Sequence, residues 1–101
     1  MAVLGDMLEL GSFEEQGHRM VGVRAGEVVH ELVTLGERAR WIAEAARGSG
    51  MAAEHVVEMQ ETEEVIAHLR QRTRSGDVVL IKGSRGMRMD RIVTALEERP
   101  S

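Results

Sequence analysis

The sequence has 101 residues, of which 43% are apolar and 30% charged, the balance expected of one small globular domain. Its formal net charge of −4 argues against a nucleic-acid-binding domain, which carries a basic excess. The absence of cysteine excludes disulfides and thiolate metal centres. No apolar run nears the roughly 18 residues of a membrane span, and no basic-then-apolar leader opens the chain, so the expected compartment is the cytoplasm.

The first apolar run, Ala2-Val3-Leu4, reads as a strand broken by Gly5-Asp6. Ser12, with Glu15 three residues on, has the form of a capping box and opens a helix to about Val28. Gly17, Gly22 and Gly26 weaken the helical propensity of that segment. Glu31 to Leu35 is a second strand, ended by Gly36. Glu37 to Arg47 is a second helix, with Trp41, Ile42, Ala45 and Ala46 on one side and Gly48 as its stop. His55 to Met59 is a third strand. Thr62 is the expected N-cap of a third helix, with Glu63 and Glu64 suiting its dipole, Val65, Ile66 and Leu69 as its buried stripe and Gly76 at its exit. The clearest strand is Asp77 to Ile81: Val78-Val79-Leu80-Ile81 is apolar without alternation, the habit of a strand covered on both faces of a parallel sheet. Met89, Ile92, Val93 and Leu96 then mark one face of a last helix, with Pro100 beyond it.

Strand and helix thus alternate four times. This pattern predicts right-handed βαβ units in a single domain over residues 1–101. The expected fold is α/β, a Rossmann-like three-layer sandwich with a mostly parallel sheet of about four strands and helices on both faces.

Sheets of this kind bind ligands beyond the carboxyl ends of their strands. That nominates four turns: Gly5 to Gly11, Gly36-Glu37, Gln60-Glu61, and Lys82 to Gly86. The fourth is the most basic. Gly83 and Gly86 permit close backbone approach, Ser84 adds a hydroxyl, and Lys82 and Arg85 add charge before a helix, which together suit a carboxylate or phosphate. The plainer reading is that Ser84 caps the helix and the basic side chains lie in solvent. Neither a Walker pattern nor Gly-x-Gly-x-x-Gly occurs, so nothing here grips a nucleoside triphosphate alone. In the first turn, Asp6 can orient a cation, join a charge network with Lys82, or bond its own turn backbone. His18 is placed to pack under that turn and bond its backbone. Glu64 and His68 read as a solvated helix face, and Glu58 to Glu64 as a solvated acidic run.

At these two turns the chain resembles a known family. Val-Leu-Gly-Asp-Met-Leu-Glu-Leu-Gly (Val3 to Gly11), with His18 and Gly22 downstream, and Asp-Val-Val-Leu-Ile-Lys-Gly-Ser-Arg-Gly-Met-Arg-Met-Asp (Asp77 to Asp90) are similar to the C-terminal domain of the Mur ligases. The second motif resembles the branch of that family that acts on D-alanyl-D-alanine.

The resemblance implies an ATP- and magnesium-dependent amide ligase joining D-alanyl-D-alanine to a UDP-muramoyl tripeptide through an acyl phosphate, in peptidoglycan precursor synthesis. ATP and magnesium would be held mainly by a central domain that this chain lacks. Lys82, Gly83, Ser84 and Arg85 match the motif as dipeptide-side residues. Asp6 and Glu9 match the first motif as residues that place the amine or order the loop. No catalytic residue or metal ligand is assigned within the chain.

The resemblance further implies a fragment without the family's preceding strand and helix, inactive alone, whose open sheet edge invites self-association. The competing expectation is a non-catalytic anion-binding module or a receiver-like switch. Against a receiver, the middle strands end in Gly36 and Gln60-Glu61 rather than an acceptor Asp.

Overall fold

The computed structural model describes residues 1–8, 10–73, 77–83 and 88–97. Its elements run β1 (Ala2–Gly5), α1 (Glu14–Val28), β2 (Leu32–Leu35), α2 (Arg40–Gly48), β3 (Val56–Met59), α3 (Thr62–Arg72), β4 (Leu80–Lys82) and α4 (Asp90–Glu97). The strands form one parallel sheet in the order β3-β2-β1-β4. Val3 lies beside Val33 and Ile81, and Val33 beside Val57.

This order distributes the helices. The crossovers from β1 to β2 and from β2 to β3 step the same way, so right-handed connections put α1 and α2 on one face. The crossover from β3 to β4 returns past β1 and puts α3, and α4 after it, on the other. Alternation along each strand then builds two cores. Ala2, Leu4, Leu32 and Val56 pack with Ala25, Ile42, Ala43 and Ala46. Val3, Val33 and Leu35 pack with Val65, Leu69, Met89 and Ile92. The result is the expected three-layer α/β arrangement. No helix among the described residues is long and apolar enough to cross a membrane.

One glycine that weakens α1 as a helix is also what seats it. A Cβ on Gly22 would stand 2.2 Å from the Ile42 carbonyl oxygen and 2.8 Å from the Ala45 Cβ. Gly in a helix interior costs about 1 kcal/mol against Ala. Here that cost is offset by the close approach of α1 to α2, and α1 runs through Gly17, Gly22 and Gly26 to Val28.

Several expectations are corrected. Ser12 does not cap α1: it lies in a 3-10 turn over Gly11–Phe13, the helix begins at Glu14, and Phe13 is its N-cap. Thr62 is the first residue of α3, and Glu61 occupies the N-cap. The last strand begins at Leu80 rather than Asp77, and it is not buried on both faces. Val78 is 83% and Leu80 55% exposed. The reason is position in the sheet. β4 is an edge, Ile81 and Val79 reach the α3/α4 core, and among the described residues no helix covers Leu80 on the opposite face. Met89 just before α4 and Ile92 on it are buried and Leu96 packs on the core, while Val93 stays at the surface.

Candidate functional site

β1 and β4 are neighbours whose following helices lie on opposite faces of the sheet, so a crevice opens beyond their carboxyl ends. It contains a cleft of about 220 Å³. Leu4, Met7, Val21 and Ile42 form its apolar walls, and Gly5, Gly83 and Lys82 line it at the strand ends. Lys82 shares a face with Leu4, its register partner, and is exposed. Gly5 and Gly83 leave room for Met89: a Cβ would meet its Sδ at 2.9 Å from Gly5 and its Cγ at 2.9 Å from Gly83. Gly83 also sits close to β1, where the same atom would lie 3.4 Å from the Gly5 Cα. The strand ends converge here because neither carries a side chain.

Asp6 follows β1 and is buried. A buried carboxylate needs partners, and it has them in the segment just before α2. Its Oδ1 accepts the Ala39 N–H at 2.7 Å, and its Oδ2 lies 3.7 Å from an Arg38 guanidinium nitrogen. Arg38 pairs with Glu14 as well. Gly36 makes the approach feasible: its φ is +113°, and a Cβ there would fall 2.4 Å from the Asp6 Oδ1. Asp6 therefore ties β1 to the start of α2. These partners are neither Lys82 nor the local backbone of its own turn.

The same turn is held a second time. The Met7 N–H donates to Nε2 of the fully buried His18 at 2.9 Å, and Nδ1 of that ring lies 2.6 Å from the Glu14 carbonyl oxygen. Trp41 meets the imidazole edge-on, with centroids 5.8 Å apart. The expected packing of His18 under the turn is present, and its bond is to the Met7 backbone. Sequence reasoning took Gly36 as a strand stop and, with Glu37, as a ligand-facing turn, and did not single out Arg38 or Ala39. The available signal was the Gly after a strand followed within four residues by a helix start.

Of the residues matched to the family motifs, Lys82 and Gly83 meet at the cleft and Asp6 lies behind it. Glu9, Ser84, Arg85 and Gly86 lie outside the described residues. The opposite end of the sheet carries a different constellation. Arg72 pairs with Glu31, and this hydrogen bond holds the Glu31 carboxyl below its usual range. His68 is partly buried beside that pair rather than solvated with Glu64. Burial first, and Arg72 second, push its imidazole below the usual value. Among the described residues no three His, Asp or Glu side chains are grouped so as to hold a metal ion.

Comparison with known proteins gives the geometry its context. The family description "Mur ligase, glutamate ligase domain" matches residues 1–85. The chain is 36% identical over 101 residues to the UDP-N-acetylmuramoyl-tripeptide–D-alanyl-D-alanine ligase of Bacillus subtilis (strain 168), an alignment covering 99% of this chain and 22% of that protein. A crystal structure of MurF from Acinetobacter baumannii superposes with a TM-score of 0.78 at 25% identity, over 97% of this chain and 22% of the other. The chain thus spans about a fifth of the length of these relatives. With the family match running over residues 1–85, and the 36% identity extending along 99% of this chain, the chain belongs to the Mur ligase family.

Proposed function

We propose that this chain acts as the C-terminal domain of an ATP-dependent ligase that adds D-alanyl-D-alanine to UDP-N-acetylmuramoyl tripeptide through an acyl phosphate, in cytoplasmic peptidoglycan precursor synthesis. The observation that carries the reading is the 36% identity, along 99% of the chain, to a ligase of that name. The cleft is consistent with it. Short apolar walls suit alanyl methyl groups, and Lys82 suits the terminal carboxylate of a dipeptide.

In this reading Lys82, with Ser84 and Arg85 of the same motif, draws that carboxylate. Gly83 keeps the strand end clear, and Asp6 and Glu9 order the turn beside it. The sequence has no Walker pattern, and among the described residues no three His, Asp or Glu side chains are grouped to hold a metal ion. ATP and magnesium are therefore assigned mainly to a central domain that closes against this cleft. The uncovered edge at β4, with Val78 and Leu80 in solvent, is a surface through which isolated copies self-associate.

The test is a titration of the 101-residue chain with D-alanyl-D-alanine and, separately, inorganic phosphate, followed by amide NMR. The expected outcome is weak binding of the dipeptide that shifts the Lys82 and Gly83 amides, weaker response to phosphate, and loss of both in Lys82→Ala. Equal response to phosphate would favour a general anion site. ATP hydrolysis by this chain alone would contradict the division of labour.

A further inference from the structure

We infer that His18 is a positioning residue for the cleft: as a neutral imidazole in one tautomer, it fixes the backbone of Met7, whose residue forms a wall of the cleft that Lys82 also lines. Only the link to ligand binding rests on the function proposed above. The hold on Met7 stands on geometry.

The tautomer follows from the partners. A carbonyl oxygen can only accept, so the contact with Glu14 at 2.6 Å requires the hydrogen on Nδ1. A backbone N–H can only donate, so the contact with Met7 at 2.9 Å requires Nε2 to be bare. The ring is fully buried against Trp41, so water is not at hand to replace either partner. The bond spans 11 residues and joins the turn after β1 to α1. Asp6 ties the preceding residue to the segment leading into α2. Two side chains thus hold adjacent residues from two sides, and Met7 has little freedom to move relative to the strand ends.

A proton on Nε2 would turn the acceptor into a donor facing the Met7 N–H. The charged groups on the surrounding elements are Glu14, Glu15, Arg19, Arg24 and Glu27 on α1, Asp6 after β1, Glu37 and Arg38 before α2, and Arg40, Glu44 and Arg47 on α2. Arg38 bridges Asp6 and Glu14, Arg19 pairs with Glu15 and Glu44, and Arg40 lies over Trp41. None supplies an acceptor to Nε2 in place of Met7 among the described contacts.

The experiment uses the 101-residue chain. A long-range proton–nitrogen spectrum reads the His18 tautomer, amide exchange reads Met7, and D-alanyl-D-alanine titration reads the cleft. The expected results are an Nδ1–H imidazole and a Met7 amide that exchanges about tenfold faster in His18→Leu. His18→Gln, which restores an acceptor, should recover most of the protection. Dipeptide affinity should fall in His18→Leu and recover in His18→Gln.

An Nε2–H tautomer, or Met7 exchange that ignores the substitution, would overturn the inference. Should His18→Leu fail to fold, the tautomer and the Met7 exchange rate in His18→Gln decide it. If Met7 responds as expected and no form of the chain binds the dipeptide, the binding reading fails and the hold on Met7 stands.

Discussion

After β1, two polar groups of the turn are engaged: Asp6 accepts the Ala39 N–H at 2.7 Å, and the Met7 N–H is accepted by His18 at 2.9 Å. After β4, the neighbouring strand ends in an exposed Lys82 that lines an apolar cleft. The two strand ends stand side by side, and Asp6 and Lys82 carry opposite charges, yet their burial differs. A buried carboxylate is tolerable only when its hydrogen-bonding capacity is filled, so Asp6 serves the joint between β1 and α2. A cation on an exposed edge strand keeps its hydration and stays available to a ligand. Proximity to a crevice therefore does not by itself distinguish a residue that builds the crevice from one that works in it.

The contrast can be broken most directly at Asp6. Asp6→Ala leaves the Ala39 N–H without its acceptor and Arg38 with one fewer partner. The expected loss is about 2–4 kcal/mol in urea unfolding. A loss below about 1 kcal/mol would mean that the joint does not depend on the carboxylate.

An intermediate, pH-dependent effect belongs to the far end of the sheet. Glu31 has a folded-state value held below the ordinary one by Arg72. Its contribution is therefore present above the ordinary glutamate range and is lost as pH falls through the lowered folded value. The stability difference between the original chain and Glu31→Gln should shrink over that acidic window. It should be smaller than the Asp6 effect, because the pair is partly exposed and screened.

The smallest expected effect is on folding in Lys82→Ala, within about 0.5 kcal/mol, while dipeptide binding is lost. A large destabilisation there would erase the distinction between the two turns.

Much of this architecture is legible from local pattern. The apolar runs at Val3, Val33 and Val57, the stop at Gly48 and the helical stripe of Val65 and Leu69 each report their own element. Capping was less legible. Ser12 and Thr62 have the right chemistry one residue from the true N-caps, Phe13 and Glu61, because the chain enters α1 through a 3-10 turn and α3 through Glu61. The apolar run at 78–81 misled for another reason. Hydrophobicity records that a strand seeks cover, and does not record whether cover is present on both faces.

The cleft was partly legible. Lys82 and Asp6 were found because strand ends of this fold class face ligands, and His18 because its helix follows the first turn. The Ala39 partner of Asp6 lies 33 residues away in sequence, and no spacing rule connects them.

By itself, then, the sequence determined the alternation of strand and helix, the positions of the two charged turns and their likeness to one ligase family. Those properties are carried by residues near one another in the chain. Tertiary structure alone decided that β4 joins β1 at an edge, that Gly22 lets α1 touch α2, and that Asp6 is engaged while Lys82 is exposed. Strand order depends on the handedness of crossovers and on which apolar faces can be covered together, and burial of a charge depends on what arrives beside it from distant parts of the chain.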